Sequence, residues 1–183
     1  MGRIYLIIFI SILSGIVWSC RETEPEGRIN TVEFQIDSSY FDYTRLDTFH
    51  RAVLPHLKEW QFDTLVNDQL DKPGYIVRRD DTAVALILTS HNPRQPSSYS
   101  FYKQMVQDSS LGTLVLDLSN FVKNEIKLTQ LIMKNENQTI FKIVYDDGVS
   151  AEELDIYIDN NQYNEKNIRL TESIIGQINF IKQ

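Results

Sequence analysis

Three histidines and a run of carboxylates are the residues of this 183-residue chain whose types could do chemistry. A zinc site or an imidazole base would need His50, His56 or His91 to converge with further ligands or with a nucleophile. Zinc takes three or four ligands at once, and a general base works only in contact with the proton it removes. His50 and His56 lie six residues apart, so on a continuous helix they would point to different faces. No His-x-x-x-His pair occurs, and His91 opens a proline-flanked loop; all three are expected at the surface or at helix ends, with no metal held. The carboxylates Asp146, Asp147, Glu152, Glu153 and Asp155 gather around Gly148. Hard cations want several carboxylate oxygens, but this spacing does not match the twelve-residue calcium loop. A solvated turn between two strands accounts for the cluster, since Asp and Gly are ordinary turn residues.

Other reactive patterns are missing from the sequence. Gly74, Gly112, Gly148 and Gly176 are isolated, so no glycine-rich loop cradles a phosphate. No Gly-x-Ser-x-Gly elbow presents a serine nucleophile. No catalytic residue, cofactor or metal is therefore assigned, and the chain is read as not an enzyme. Asn137-Gln138-Thr139 formally matches an N-glycosylation acceptor but is expected as a hairpin turn. Asp63-Thr64-Leu65 and Asp81-Thr82-Ala83 resemble the short O-glycosylation signal of the Bacteroidota envelope.

Cys20 is the one cysteine. It follows Arg3, the apolar run Ile4 to Ile16, and Val17-Trp18-Ser19. A positive start, an apolar core of about 7–15 residues and small residues before the cut are the parts of a secretory signal. Ile4 to Cys20 is also near the lower limit of about 17 residues for an uncleaved spanning anchor; the short core ending at Ser19 and Cys20 favours the signal. Myristoylation at Gly2 is set aside because Leu6 stands where that signal wants Ser or Thr.

The last four residues of this stretch resemble the lipobox of bacterial lipoproteins, with Trp18 standing where a small residue is usual. The resemblance implies a cut between Ser19 and Cys20, acylation of Cys20, and a lipid bilayer as its partner. Arg21-Glu22-Thr23-Glu24-Pro25-Glu26 then resembles the acidic surface-export signal of Bacteroidota lipoproteins, which implies an outer-membrane location with the domain displayed at the surface. Pro25, Gly27 and the charges also suit a solvated tether. The expected layout is a signal peptide over 1–19, a tether over 20–31 and one domain over 32–183.

Composition narrows the partners. The chain carries 18 basic and 25 acidic side chains, a net charge of −7, and loses one more positive charge with Arg3. That balance argues against nucleic acid and against charge-driven binding of anionic lipid. With Cys20 acylated no internal disulfide exists, and stability must come from the core. Nine Tyr, nine Phe and two Trp are expected mostly in that core.

The elements that would position these residues follow from hydrophobic period. Val32 to Ile36 alternates as a strand. Leu46, Phe49, Val53, Leu57 and Trp60 recur every three or four residues and predict a helix kinked or split at Pro55. Tyr75 to Arg78 and Ala83 to Thr89 read as strands joined at Asp80-Asp81, the second apolar on both faces and so expected to be covered on both sides. Phe101, Tyr102, Met105 and Val106 predict a helix capped by Ser97 or Ser98. Leu114, Leu116 and Leu118 are expected on one face of a strand. Glu125 to Lys134 and Gln138 to Tyr145 form a predicted hairpin about Asn135-Glu136-Asn137, and Leu154, Ile156 and Ile158 alternate in a further strand. Ile174, Ile175, Ile178 and Ile181 predict a closing helix.

The result is an α+β class with a mainly antiparallel sheet and helices packed on it. This order, with the ending Glu172-Ser173-Ile174-Ile175-Gly176-Gln177-Ile178, resembles the PsbP-like sandwich; a roadblock or longin-like profilin arrangement is the alternative. The PsbP-like resemblance implies a non-enzymatic accessory, docking or assembly factor with an envelope protein partner. Two other functions are carried beside it: a small-ligand or glycan-binding lipoprotein with Tyr and Trp lining a cleft, and a hydrolase using one of the histidines.

Overall fold

The computed structural model describes residues 29–30, 32–66, 72–80, 82–93, 97–108 and 112–182; Cys20, the expected signal segment, most of the tether and Asp81 lie outside the described residues. In chain order the strands are β1 (Ile29–Asn30), β2 (Phe41–Phe49), β3 (Ala52–Leu57), β4 (Gln61–Leu65), β5 (Gly74–Arg78) and β6 (Val84–His91). Helix α1 (Ser98–Gln107) precedes β7 (Leu114–Lys123), β8 (Ile126–Lys134), β9 (Gln138–Asp146) and β10 (Ala151–Asp159). Helix α2 (Glu165–Gln177) and the short β11 (Asn179–Phe180) complete the described part. An eight-stranded sheet runs β1-β7-β8-β9-β10-β6-β5-β4, and a three-stranded sheet runs β11-β3-β2. All pairings are antiparallel except β1 on β7. The α+β, mainly antiparallel architecture expected from the sequence is present. Ile29 and Asn30, assigned above to the tether, are part of it.

From residue 74 onward most predicted elements form where period two was read. The hairpin of β8 and β9 turns at Asn135 to Asn137, where Asn135 Oδ1 accepts from the backbone N–H of Asn137 at 2.9 Å and of Gln138 at 2.7 Å. Lys123 and Ile126 are paired across a two-residue turn whose Asn124 and Glu125 both have positive φ, the backbone that matches the twist of a tight hairpin. Helix α2 is capped by Asn164 Oδ1 on the Asn167 N–H at 3.1 Å, with Glu165 in its first turn, a favourable placement of charge at the N-terminal dipole.

The predicted helix over residues 46–60 is a correction. Phe49 pairs with Ala52 across His50 and Arg51, making a hairpin of β2 and β3. A two-residue turn resets the phase of a period-two pattern, and the reset imitates a three-to-four-residue period. Leu46, part of the supposed helical face, is 64% exposed. Pro55 is tolerated because β11 pairs with β3 only at Val53 and Ala52 and because a bulge between Asp42 and Leu46 breaks the partner ladder beside it.

Four further expectations change. Val32 to Ile36 joins no ladder; it crosses α2, where a Cβ on Gly176 would come within 2.9 Å of Ile36 and Phe34. Only a glycine lets that segment approach so closely. In β6, Val84, Leu86, Leu88 and Ser90 are buried while Ala85, Ile87, Thr89 and His91 are half-buried, so one face alone is fully covered. A bulge between Val115 and Asp117 turns Val115 and Leu118 inward and leaves Leu114 and Leu116 exposed, so the three leucines do not share a face. Helix α2 stops at Gln177, because residues 179–180 pair with β3, and Ile181 lies beyond it exposed.

The main core lies between the large sheet and the three-stranded sheet with α2. Leu86, Leu128, Ile143, Leu154, Ile156 and Ile158 meet Phe49, Leu54, Leu57, Ile174 and Phe180 there. A smaller cluster on the opposite face of the large sheet joins α1 to Leu131, Met133, Val144 and Ala151 through Tyr102.

Candidate functional site

Period two puts Lys142, Glu153 and Asp155 on the same face of the large sheet as α1, because Val144 pairs with Glu153 and Lys142 with Asp155. There Lys142 Nζ donates to Glu153 Oε2 at 2.7 Å and to Asp155 Oδ2 at 2.9 Å. Asp155 Oδ1 has no well-aligned donor but lies 2.7 Å from the same ammonium, so its charge is compensated. Tyr102 donates its hydroxyl to Glu153 Oε1 at 3.0 Å, and Tyr157 donates to Asp155 Oδ2 at 3.4 Å. Burial alone would lower the Lys142 ammonium; Asp155 and Glu153 overcome that and hold it above its ordinary value. Burial pushes Asp155 up, against the pull of Lys142, so both groups titrate above their ordinary values, which favours the charge on Lys142 and disfavours it on Asp155. The direction that governs the site is the charged lysine, which two carboxylates face. Burial beside Asp155 also pushes the Tyr157 hydroxyl up to about 12, leaving it a neutral donor.

A second buried cation sits on the other face. Arg51, in the β2–β3 turn, reaches Asp147 Oδ2 at 2.5 Å, Ser150 Oγ at 2.7 Å and the Ile181 carbonyl at 2.8 and 3.0 Å. Its guanidinium carbon stands 5.1 Å from the Tyr145 ring centroid, within cation–π range. Arg51 holds the Asp147 carboxyl well below the usual carboxylate range, helped by the N–H groups of Val149 and Ser150. Glu152, buried behind this group, accepts from Ser90 and Ser150 at 3.0 Å each. The arrangement latches the small sheet to the β9–β10 turn.

The expected solvated turn is thus correct for the stretch from Asp146 to Val149, where Asp146 and Asp147 accept backbone N–H groups, while Ser150 ends it buried. It fails for Glu152 and Glu153, which are 2% and 6% exposed, and for Asp155, because a central strand carries them inside. Sequence reading missed Arg51, Lys142, Tyr102, Tyr145, Tyr157, Ser90 and Ser150. Charge at Lys142 in a strand alternating with Phe141 and Ile143 was the available signal.

The histidines are not brought together. His50 donates to the Pro73 carbonyl at 2.8 Å in the turn. His56, on β3, lies 2.7 Å from Asp47 Oδ2 and stacks on Phe62. His91, at the end of β6 in the other sheet, lies 2.9 Å from Thr89 Oγ1 and 3.9 Å from Glu153 Oε2. Among the described residues no group of His, Cys, Asp and Glu is placed to hold a metal ion. Asp63 and Thr64 lie on the edge strand β4, while Thr82, beside the undescribed Asp81, hydrogen-bonds Arg79 and Val84 carbonyls.

An open cleft of about 990 Å³ lies at the end of the sheet where β7 begins, lined among the described residues by Met105, Val106, Leu114, Val115, Lys134 and the β8–β9 turn, with no Tyr or Trp among them. Many aromatic side chains instead pack on one another, as Phe49 does with Phe62 and Tyr75. No helix among the described residues is long and apolar enough to cross a membrane.

No family model and no curated protein matches the sequence. Among solved structures, the solution structure of cyanobacterial PsbP (CyanoP) from Synechocystis sp. PCC 6803 is similar with a TM-score of 0.55 at 8% identity, over 89% of this chain and 98% of that one. A crystal structure from Bacteroides thetaiotaomicron aligns with a TM-score of 0.37 at 10% identity, over 72% of this chain and 46% of that one. The fold is therefore similar to that of CyanoP, as the order of elements from the sequence implied.

Proposed function

We propose that this chain is a lipid-anchored, non-catalytic docking or assembly factor of a bacterial cell envelope, built on a PsbP-like sandwich and tied to the membrane, the outer membrane foremost, by acylated Cys20. The observation that carries the docking role is the condition of the large sheet's edges. Among the described residues, β1 covers only Asn120 and Phe121 of the ten-residue β7, and β4 ends the sheet on the other side. Unpaired strand edges are templates for another chain. The anchor is supported by Arg3, the apolar run and Ser19-Cys20, and the accessory role by the likeness to CyanoP, which is fold analogy.

A ligand- or glycan-binding lipoprotein is the second reading, favoured by the size of the cleft beside Met105 and weakened by its lining, which among the described residues holds no aromatic ring. Cross-linking the native protein in cells and identifying what co-purifies, with Cys20→Ala in parallel, separates the two. A reproducible envelope protein that disappears with Cys20→Ala is expected. Acylated protein that recovers no partner overturns docking and sends the search to glycans and small molecules.

A further inference from the structure

We infer that the end of the large sheet where β7 begins, with Leu114 and Leu116, rests on the bilayer to which Cys20 is tied. This deepens the proposed anchor and rests on it. Strand β1 is parallel to β7, with Ile29 opposite Asn120 and Asn30 opposite Phe121. The N-terminal end of β1 is therefore the one on the side of Ser119 and Leu118, in the direction of Leu114, and its C-terminal end is the one toward Lys123.

Nine peptide steps separate Cys20 from Ile29, which at full extension span at most roughly 32 Å. A lipid-bearing Cys20 thus keeps the β1–β7 edge near the membrane surface, and the direction of β1 chooses which end of that edge faces it. At that end Leu114, which lines the cleft with Met105 and Val106, is 64% exposed, and Leu116 is 52% exposed. The bulge between Val115 and Asp117 sends these leucines outward while their neighbours Val115 and Leu118 pack inward.

Zwitterionic lipid fits this surface better than anionic lipid. The whole chain has a net charge of −7, so long-range attraction to an anionic surface is unfavourable and the contact depends on apolar side chains. The opposite end of the sheet provides an internal control: Val149, in the β9–β10 turn, is also apolar and 61% exposed.

The test uses the acylated full-length chain in phosphatidylcholine vesicles. Because Cys20 is occupied by lipid, Leu116→Cys or Val149→Cys introduces one thiol for an environment-sensitive fluorophore. Mass spectrometry first establishes acylation. Acylated protein is expected to give a blue-shifted emission at position 116 that doxyl-labelled phospholipid quenches, and an aqueous, unquenched emission at 149. Equal aqueous emission from both sites in acylated protein overturns the orientation, leaves the anchor intact, and returns the open β7 edge to a protein strand. Absence of acylation overturns the anchor and the orientation together.

Discussion

The two faces of the large sheet are built on different physics. Apart from the Arg51 latch and Glu152 at its β9–β10 end, the face toward the small sheet and α2 is apolar, with Leu86, Ile143, Ile156 and Ile158 at 0% exposure. The face toward α1 mixes a small apolar cluster with the Lys142, Glu153 and Asp155 group. The first gains stability in proportion to area removed from water. The second breaks even only while each charge keeps its partner, because desolvating an ion costs as much as its pairing returns. The charged face is accordingly the more sensitive to a single lost partner and the more tolerant of removing all partners at once.

The sharpest way to break the comparison is Lys142→Met, which leaves two buried carboxylates without their cation. It should cost about 3–5 kcal/mol at neutral pH, read by urea denaturation. In that variant the folded-state carboxylates titrate above their unfolded values, so their ionisation weakens the fold as pH rises; stability should recover on acidification toward pH ~4. A further Glu153→Gln, Asp155→Asn replacement in the same chain should restore much of the loss. If the single variant is as stable as the parent, the cluster is not buried as described.

Ile156→Ala, on the apolar face, should cost about 2–5 kcal/mol from lost transfer energy and the cavity left behind. Its effect should not vary with pH in the same titration, which is what distinguishes the two faces.

Asp147→Asn tests the latch between the small sheet and the β9–β10 turn. A loss of about 1 kcal/mol is expected at pH 7, because the Arg51 guanidinium loses a charged acceptor while water around the partly exposed Asp147 carboxylate screens the pair. Because Asp147 titrates below its ordinary value of 3.8, its contribution is present above that pH and is lost as pH falls through the lower folded value. Parent and variant should therefore converge in acid, measured by parallel thermal melts. The smallest effect belongs to Leu116→Ser, within about ±0.5 kcal/mol because the side chain packs against little; a larger loss would place it in the core.

Legibility in the sequence followed contact distance. The β8–β9 hairpin, α1, α2 and the alternating β10 are local patterns, and their periods survive into the structure. The hairpin of β2 and β3 does not, because its two-residue turn at His50 and Arg51 carries no Gly or Asn and its pairing hides in a helical spacing. Likewise the pair of Arg51 with Asp147 joins residues 96 positions apart, and no local pattern announces it. His56 and Asp47, nine positions apart, meet only because that hairpin exists.

What the sequence alone determined is the class and order of most elements from Gly74 on and the acidic balance of the chain, since these are sums over neighbouring residues. Tertiary structure decided which charges go inside. By sequence Glu153 and Asp155 belong to a solvated-turn cluster and Lys142 to a hairpin strand, until β9 and β10 pair in a register that sets Lys142 opposite Asp155 and lets α1 bring Tyr102 over Glu153. Burial of a charge depends on what the rest of the chain places around it, and that is a property of register and packing, not of any single stretch of residues.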